Sequence, residues 1–230
     1  MIFGVLAVLL ILFSIFSEYI APYDPYMQDL ANAKAPPSAA HPMGTDRYGR
    51  DLLSRVIVGS RASIFSTLLL VAVITCFGTA VGIFCGWNGG WLDTVLMRIS
   101  DMFLAFPGLV FALAVAGILG GGLQNAIIAL AAISWPKYAR LARSQTLAQK
   151  ENAYLKAAKL SGSNTAQIIL RHILPNILGP ILVTAMLDIG TMMMELAGLS
   201  FLGLGAKAPT AEWGSMMSDT RSLMTTAPFI

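Results

Sequence analysis

Four ionisable side chains, Arg98, Asp101, Asp188 and Glu195, fall inside otherwise apolar stretches, where a charge is costly and by default marks a functional candidate. Asp188 and Glu195 stand seven residues apart, so on a helix they share a face. Turned towards a water-filled path or a neighbouring subunit, they are candidates to line translocation; bonded to adjacent helices, they would serve packing. Arg98 and Asp101 sit at i and i+3 and are expected to neutralise each other. Met192, Met193 and Met194 offer soft sulfurs, yet methionine in a helix is more often adaptable packing than a ligand. Cys76 and Cys85 are nine residues apart on one expected helix, about 180° apart around its axis, and can neither pair nor share a metal. His41 and His172 are expected on opposite sides of a membrane. No metal site is therefore expected. A P-loop lysine motif is absent, so ATP hydrolysis is not expected of this chain, and no serine has a His or Lys base beside it. The chemistry that remains is passage and docking rather than catalysis.

Those residues need an apolar scaffold. Hydrophobic residues make up 56% of the chain and charged residues 12%, with a mean hydropathy of +0.70, which excludes an ordinary soluble domain. A bilayer core of about 30 Å asks for about 20 apolar residues per helix. Five windows qualify: residues 2–21, 64–87, 94–117, 123–138 and 177–204. The first lacks the short apolar core and small-residue cleavage site of a secretory signal and reads as a retained anchor. Between Lys137 and Arg171 there are seven Lys/Arg against one acid, Glu151, which sets that side as cytoplasmic. The net charge of +3 reflects this asymmetry rather than affinity for nucleic acid. It follows that residues 22–63, 120–122 and 206 onward lie outside and 88–93 inside. Lys34, Arg47, Arg50, Arg55 and Arg61 run against that rule, but Asp24, Asp29, Asp46 and Asp51 accompany them. An odd number of spans ending outside leads to the expectation of a further span beyond residue 230, and a start directly in apolar sequence to that of a short leader before residue 1.

Residues 151–176, ENAYLKAAKLSGSNTAQIILRHILPN, form a basic, polar island in this apolar chain. Two helices are expected, over about 152–160 and 165–174. Gly162 supplies the turn, Asn164 or Thr165 an N-cap, and Pro175 the stop. Ala153, Ala157 and Ala158 leave a flat face flanked by Lys156 and Lys159, a shape suited to a groove on a soluble partner.

The spacing Ala157-Ala158, Gly162, Leu174-Pro175 resembles the cytoplasmic coupling loop of permease subunits of bacterial ATP-binding-cassette importers. In that family the loop docks on the ATPase. The resemblance implies ATPase-coupling roles for Tyr154, Lys156, Ala157, Ala158, Gly162, Leu174 and Pro175; Lys156 stands where the family usually has an acid, and His172 where it often has isoleucine. On the outer side, HPMGTDRYGRD followed by Ser54, Arg55, Gly59 and Arg61 is similar to the signature of the peptide and nickel importer permeases. Its candidate interface residues are Gly44, Thr45, Asp46, Gly49, Arg50, Asp51, Arg55 and Arg61. Residues 51–60 could lie at the interface as a helix, its arginines pairing with aspartates or lipid phosphates, or could simply anchor the start of the second span. Residues 200–205, SFLGLG, and 209–214, PTAEWG, resemble a further block of this branch; within it, residues 187–190 and PTAEWG lean towards nickel-importer permeases.

The resemblance implies an all-α polytopic bundle, one permease domain over residues 1–230 with an outer segment 22–63 and a coupling loop 151–175. It implies an alternating-access path for nickel or di/oligopeptides in the bacterial cytoplasmic membrane. Implied partners are a second permease subunit, two ATPase subunits holding ATP and magnesium, an extracytoplasmic binding protein and membrane lipids; no cofactor is expected on this chain and no nucleic acid. The competing reading is an ion-coupled secondary transporter using Asp188 and Glu195 as its relay, which the coupling-loop resemblance disfavours.

Overall fold

The computed structural model describes residues 2–228, and among them there is no strand. An apolar helix α1 (Ile2–Ile15) is followed by the short α2 (Ser17–Ile20). After a looped outer segment come α3 (Leu52–Asn88), α4 (Gly90–Ala105), α5 (Gly108–Ile118) and α6 (Leu123–Lys150). The island holds α7 (Ala153–Leu160) and α8 (Thr165–Ile168); α9 (Leu174–Phe201) and α10 (Trp213–Thr220) complete the chain.

Among the described residues two helical runs are by themselves long and apolar enough to cross a bilayer, Leu52–Asn88 and Thr165–Phe201, each of 37 residues. At 1.5 Å per residue such a run is about 55 Å long, well beyond a hydrocarbon core. The expected span over 94–117 is broken: α4 and α5 form a pair bent by 95°. The cause is Pro107. It forces Phe106 out of the helical region to φ −92° and ψ 145°, as a residue before proline prefers. Pro175 behaves otherwise and does not stop the second helix of the island. A π turn, Ile169–Ile173, joins α8 to α9, with the Leu174 N–H donating to the Ile169 carbonyl. Widening the ladder there puts Pro175 in the first turn of the renewed α-helix, where its missing donor costs little.

The chain divides into two compact units. One comprises residues 1–68, 115–127 and 193–230; the other comprises 69–114 and 128–192. In the second unit the packing of α3 on α6 is unusually close. A Cβ placed on Gly82 would lie 2.3 Å from the Ala139 carbonyl oxygen, one on Gly78 2.5 Å from that of Trp135, and one on Gly86 2.8 Å from Thr146 Cβ. Glycine every fourth residue therefore lets the α6 backbone lie directly against α3, the small-residue contact of membrane helices.

Candidate functional site

The island 151–176 is a folded hairpin in the second unit, built by local signals. Helix α7 ends in a Schellman motif: the Ser163 N–H reaches the Ala158 carbonyl at 3.1 Å and the Gly162 N–H the Lys159 carbonyl at 3.1 Å. Gly162 takes φ +86°, the left-handed geometry that glycine adopts without a Cβ penalty. Asn164 caps α8 in a reciprocal capping box with Gln167. Both features match the expected turn and cap.

The hairpin has an inner and an outer face. Leu155, Ile168, Ile173 and Ile177 are buried. Outward stand Ala153, Ala157 and Leu160, the last 90% exposed, with Lys156 and Lys159 beside them. Spacings of four and three put the first three residues on one stripe. Of the other expected coupling residues, Tyr154 and Pro175 are exposed, and Ala158 and Leu174 are half-buried. Tyr154 does more than face outward. Its hydroxyl donates to Gln149 Oε1 at 2.8 Å and accepts from Asn176 Nδ2 at 3.1 Å, while its ring lies against His172, centroids 6.1 Å apart.

Helix α6, which leads into the hairpin, is laced to its neighbours by its basic side chains. Arg143 grips Asp93 with two bonds of 2.6 and 2.7 Å, the strong planar fork of a charge-assisted pair. Lys150 Nζ donates to the Trp87 carbonyl at 2.6 Å. Arg140 pairs with Asp101, which corrects the expected Arg98–Asp101 neutralisation: the carboxylate finds a guanidinium on another helix rather than one turn back on its own. Asp188 is 5% exposed, and its two oxygens accept from Lys137 Nζ at 2.6 Å and Tyr138 Oη at 2.8 Å. That is the packing arrangement, a carboxylate satisfied by donors from α6. Glu195 is half-buried further along α9.

In the first unit the outer signature is a knot in which arginines pair with aspartates, the first of the two expected partners. Asp46 accepts from Arg50 Nε at 2.6 Å and lies 3.6 Å from Arg55 Nε. Asp51 accepts from the Ser54 N–H and hydroxyl at 2.8 and 2.6 Å and contacts His41 Nδ1 at 2.9 Å. Thr45, Asp46, Arg50, Asp51 and Arg55 are all buried, and Gly44 and Gly49 take positive φ at its bends. Arg61 is the exposed one, bonded to Glu18 at 2.6 Å. Residues 51–60 are the start of α3, capped by Asp51 and continuing unbroken, the anchoring alternative rather than a separate interfacial helix. The PTAEWG block locks onto the same helix. Glu212, 1% exposed, caps α10 by accepting from the Gly214 and Ser215 N–H groups, and the Trp213 indole donates to the Val56 carbonyl at 3.0 Å.

Residues 78–230 match the family model described as the binding-protein-dependent transport system inner membrane component. The chain belongs to this family. Residues 1–37 further match the N-terminal transmembrane domain of oligopeptide transport permease C. The permease is 45% identical over 219 residues to the probable D,D-dipeptide transport system permease protein DdpC of Escherichia coli strain K12, covering 95% of this chain and 74% of that one. It is 42% identical to the dipeptide transport system permease protein DppC of Alkalihalophilus pseudofirmus, covering 95% and 72%. It is 40% identical to the glutathione transport system permease protein GsiD of Pectobacterium atrosepticum, covering 99% and 76%. It is thus an inner-membrane transport subunit with the all-helical architecture the sequence implied.

The row Gly78, Gly82, Gly86 and the pairs made by Arg140 and Arg143 were not singled out from sequence. The glycine row has a legible signal, one glycine per four residues along an apolar helix. Which acid each arginine meets has none, because it depends on how helices far apart in sequence pack.

Proposed function

We propose that this permease is one of two unlike membrane subunits of an ATP-driven importer that carries short peptides inward, with the hairpin 151–175 docking on an ATPase subunit. The observation that carries the docking role is the exposed stripe Ala153, Ala157, Leu160, flanked by Lys156 and Lys159 and presented by a capped, rigid hairpin. It is a flat knob that fits a groove, continuous with α9 and only two residues beyond α6. ATP and magnesium belong to the ATPase pair; closure of that pair would move the hairpin and, through α6 and α9, the path between the two permeases. Cargo selection rests with an extracytoplasmic binding protein; of the two acids considered for lining the path, Asp188 is spent on packing, and Glu195 is the remaining candidate on this chain.

Peptide is favoured over nickel because the relatives described above carry dipeptide or glutathione in their names. Nickel rests only on the resemblance of residues 187–190 and 209–214. Against an ion-coupled relay, both oxygens of Asp188 are engaged, an arrangement better suited to holding helices together. The test is uptake into proteoliposomes carrying this chain with its partner permease, ATPases and binding protein. ATP-dependent accumulation of a labelled dipeptide or glutathione is expected. Accumulation of nickel without peptide, or peptide uptake driven by a sodium or proton gradient without ATP, would overturn the reading.

A further inference from the structure

The three elements that meet at the base of the hairpin are tied by one small polar network. Gln149 lies in the last turn of α6, Tyr154 in the first turn of α7, and Asn176 in the first turn of α9. Gln149 Oε1 accepts from the Tyr154 hydroxyl at 2.8 Å and from Asn152 Nδ2 at 2.9 Å. Asn176 spends both amide hydrogens, one on the Tyr154 hydroxyl at 3.1 Å and one on the His172 carbonyl at 2.6 Å. The Tyr154 hydroxyl therefore donates to α6 and accepts from α9.

We infer that Tyr154 is a positioning residue for energy coupling, which joins the docking helix to the long helices α6 and α9 on either side of it, rather than a residue that touches the ATPase. Three features carry this. The hydroxyl is saturated by intrachain partners, so it has little left to offer a docked protein. The ring is held on His172, which fixes the hydroxyl between its partners at low entropic cost. And the exposed stripe Ala153, Ala157, Leu160 is elsewhere on α7, so one short helix separates docking from anchorage. Without the link, α7 is held by the buried Leu155 and the backbone at its ends, and a push on it would be absorbed by rocking before it reached α6 or α9. The Asp188 clasp on Lys137 and Tyr138 joins α6 to α9 a second time, so a force delivered at the base moves both helices as one body.

This inference rests on the coupling role proposed above, and two measurements separate the failure of one from the failure of the other. The first needs no cargo: amide hydrogen exchange of the detergent-solubilised permease. Tyr154→Phe keeps the ring and deletes only the hydroxyl; Asn176→Leu keeps the shape and removes the other donor. Asn176→Leu, which removes one of the hydroxyl's two bonds, should raise exchange in α7 about fivefold, and Tyr154→Phe, which removes both, by up to about thirtyfold, at about 1 kcal/mol per net hydrogen bond; the double variant should show no more than Tyr154→Phe alone, because the link is already cut. Unchanged exchange in both singles, or additive effects, overturns the inference. The second measurement is peptide moved per ATP hydrolysed in the reconstituted importer. Tyr154→Phe and Asn176→Leu should each lower that ratio about fivefold while the ATPase subunits still co-purify. ATPase lost from Tyr154→Phe would mean the hydroxyl docks the partner, and a parental ratio would mean the network transmits nothing; either sinks the inference. A parent complex that hydrolyses ATP but moves no peptide sinks the functional reading instead, and the exchange result then stands alone.

Discussion

Placing a single methyl group at Gly82 tests the closest approach of α6 to the glycine row of α3. An alanine Cβ there would sit 2.3 Å from the Ala139 carbonyl oxygen, 2.7 Å from Ala142 Cβ and 2.9 Å from the Arg143 nitrogen. Two of those three atoms are backbone, so no rotamer change relieves the clash. Restoring an ordinary contact of about 3.5 Å requires α3 and α6 to separate by roughly 1 Å, and the neighbouring contacts at Gly78 and Gly86 lose their fit in the same movement. Overpacking of this kind costs about 1–3 kcal/mol. Alanine recovers up to about 1 kcal/mol through its better helix propensity, leaving Gly82→Ala destabilised by roughly 1–2 kcal/mol. For a chain of this size that lowers a thermal midpoint by about 2–8 °C. The matched control is Gly190→Ala on α9, where a Cβ would meet nothing within 4 Å and the propensity gain should appear unopposed. Thermal unfolding of the detergent-purified complex, followed by loss of the monodisperse chromatographic peak, compares the two. If Gly82→Ala proves as stable as Gly190→Ala, the two helices are not in backbone contact and the close packing is refuted.

Gly162→Val should slow transport at least severalfold without preventing insertion, because φ +86° is strained for a β-branched residue by about 1–3 kcal/mol although the site is open; Gly162→Asn, which tolerates that geometry, should stay near parental uptake. Arg143→Met should reduce complex yield sharply, by an amount on the order of 3 kcal/mol for a buried carboxylate stripped of its partner, since Asp93 is 8% exposed; Asp93→Asn combined with Arg143→Met should recover part of that yield, and a double variant no better than Arg143→Met would refute the pairing. In a Cys76→Ser background, a cysteine at Ser38 should react with an impermeant thiol reagent from outside, and one at Ser163 only after permeabilisation; reversed labelling would invert every span.

What sequence could reveal here followed the range of the interaction. The hairpin turn was legible because its determinants, Gly162 and Asn164, act on their own backbone and their nearest neighbours. The break at Pro107 was missed because an apolar window averages over a single residue. Pro175 was misread as a stop because the π turn that accommodates it has no short pattern. Asp101 and Asp188 were recognisable as charges needing partners, but their partners Arg140, Lys137 and Tyr138 lie 39 to 51 residues away and are chosen by packing. The outer signature announced ion pairs; that Arg50 and Arg55 are buried while Arg61 stays exposed depends on the fold of the whole outer segment.

The π turn at Ile169–Ile173 also sets an angular phase. Each residue of an α-helix advances about 100°, and a π turn amounts to one extra residue housed without a break. Helix α8 therefore leaves α9 rotated by about a third of a turn from where an uninterrupted α-helix would carry it. The direction in which the hairpin points and the face that α9 shows to its surroundings are in this way set separately, although the backbone between them never leaves the helical form. Deleting one residue within 169–173 would swing the hairpin around the axis of α9 while leaving both ends intact, so a permease of this design could be refitted to a differently placed docking groove by a single-codon change.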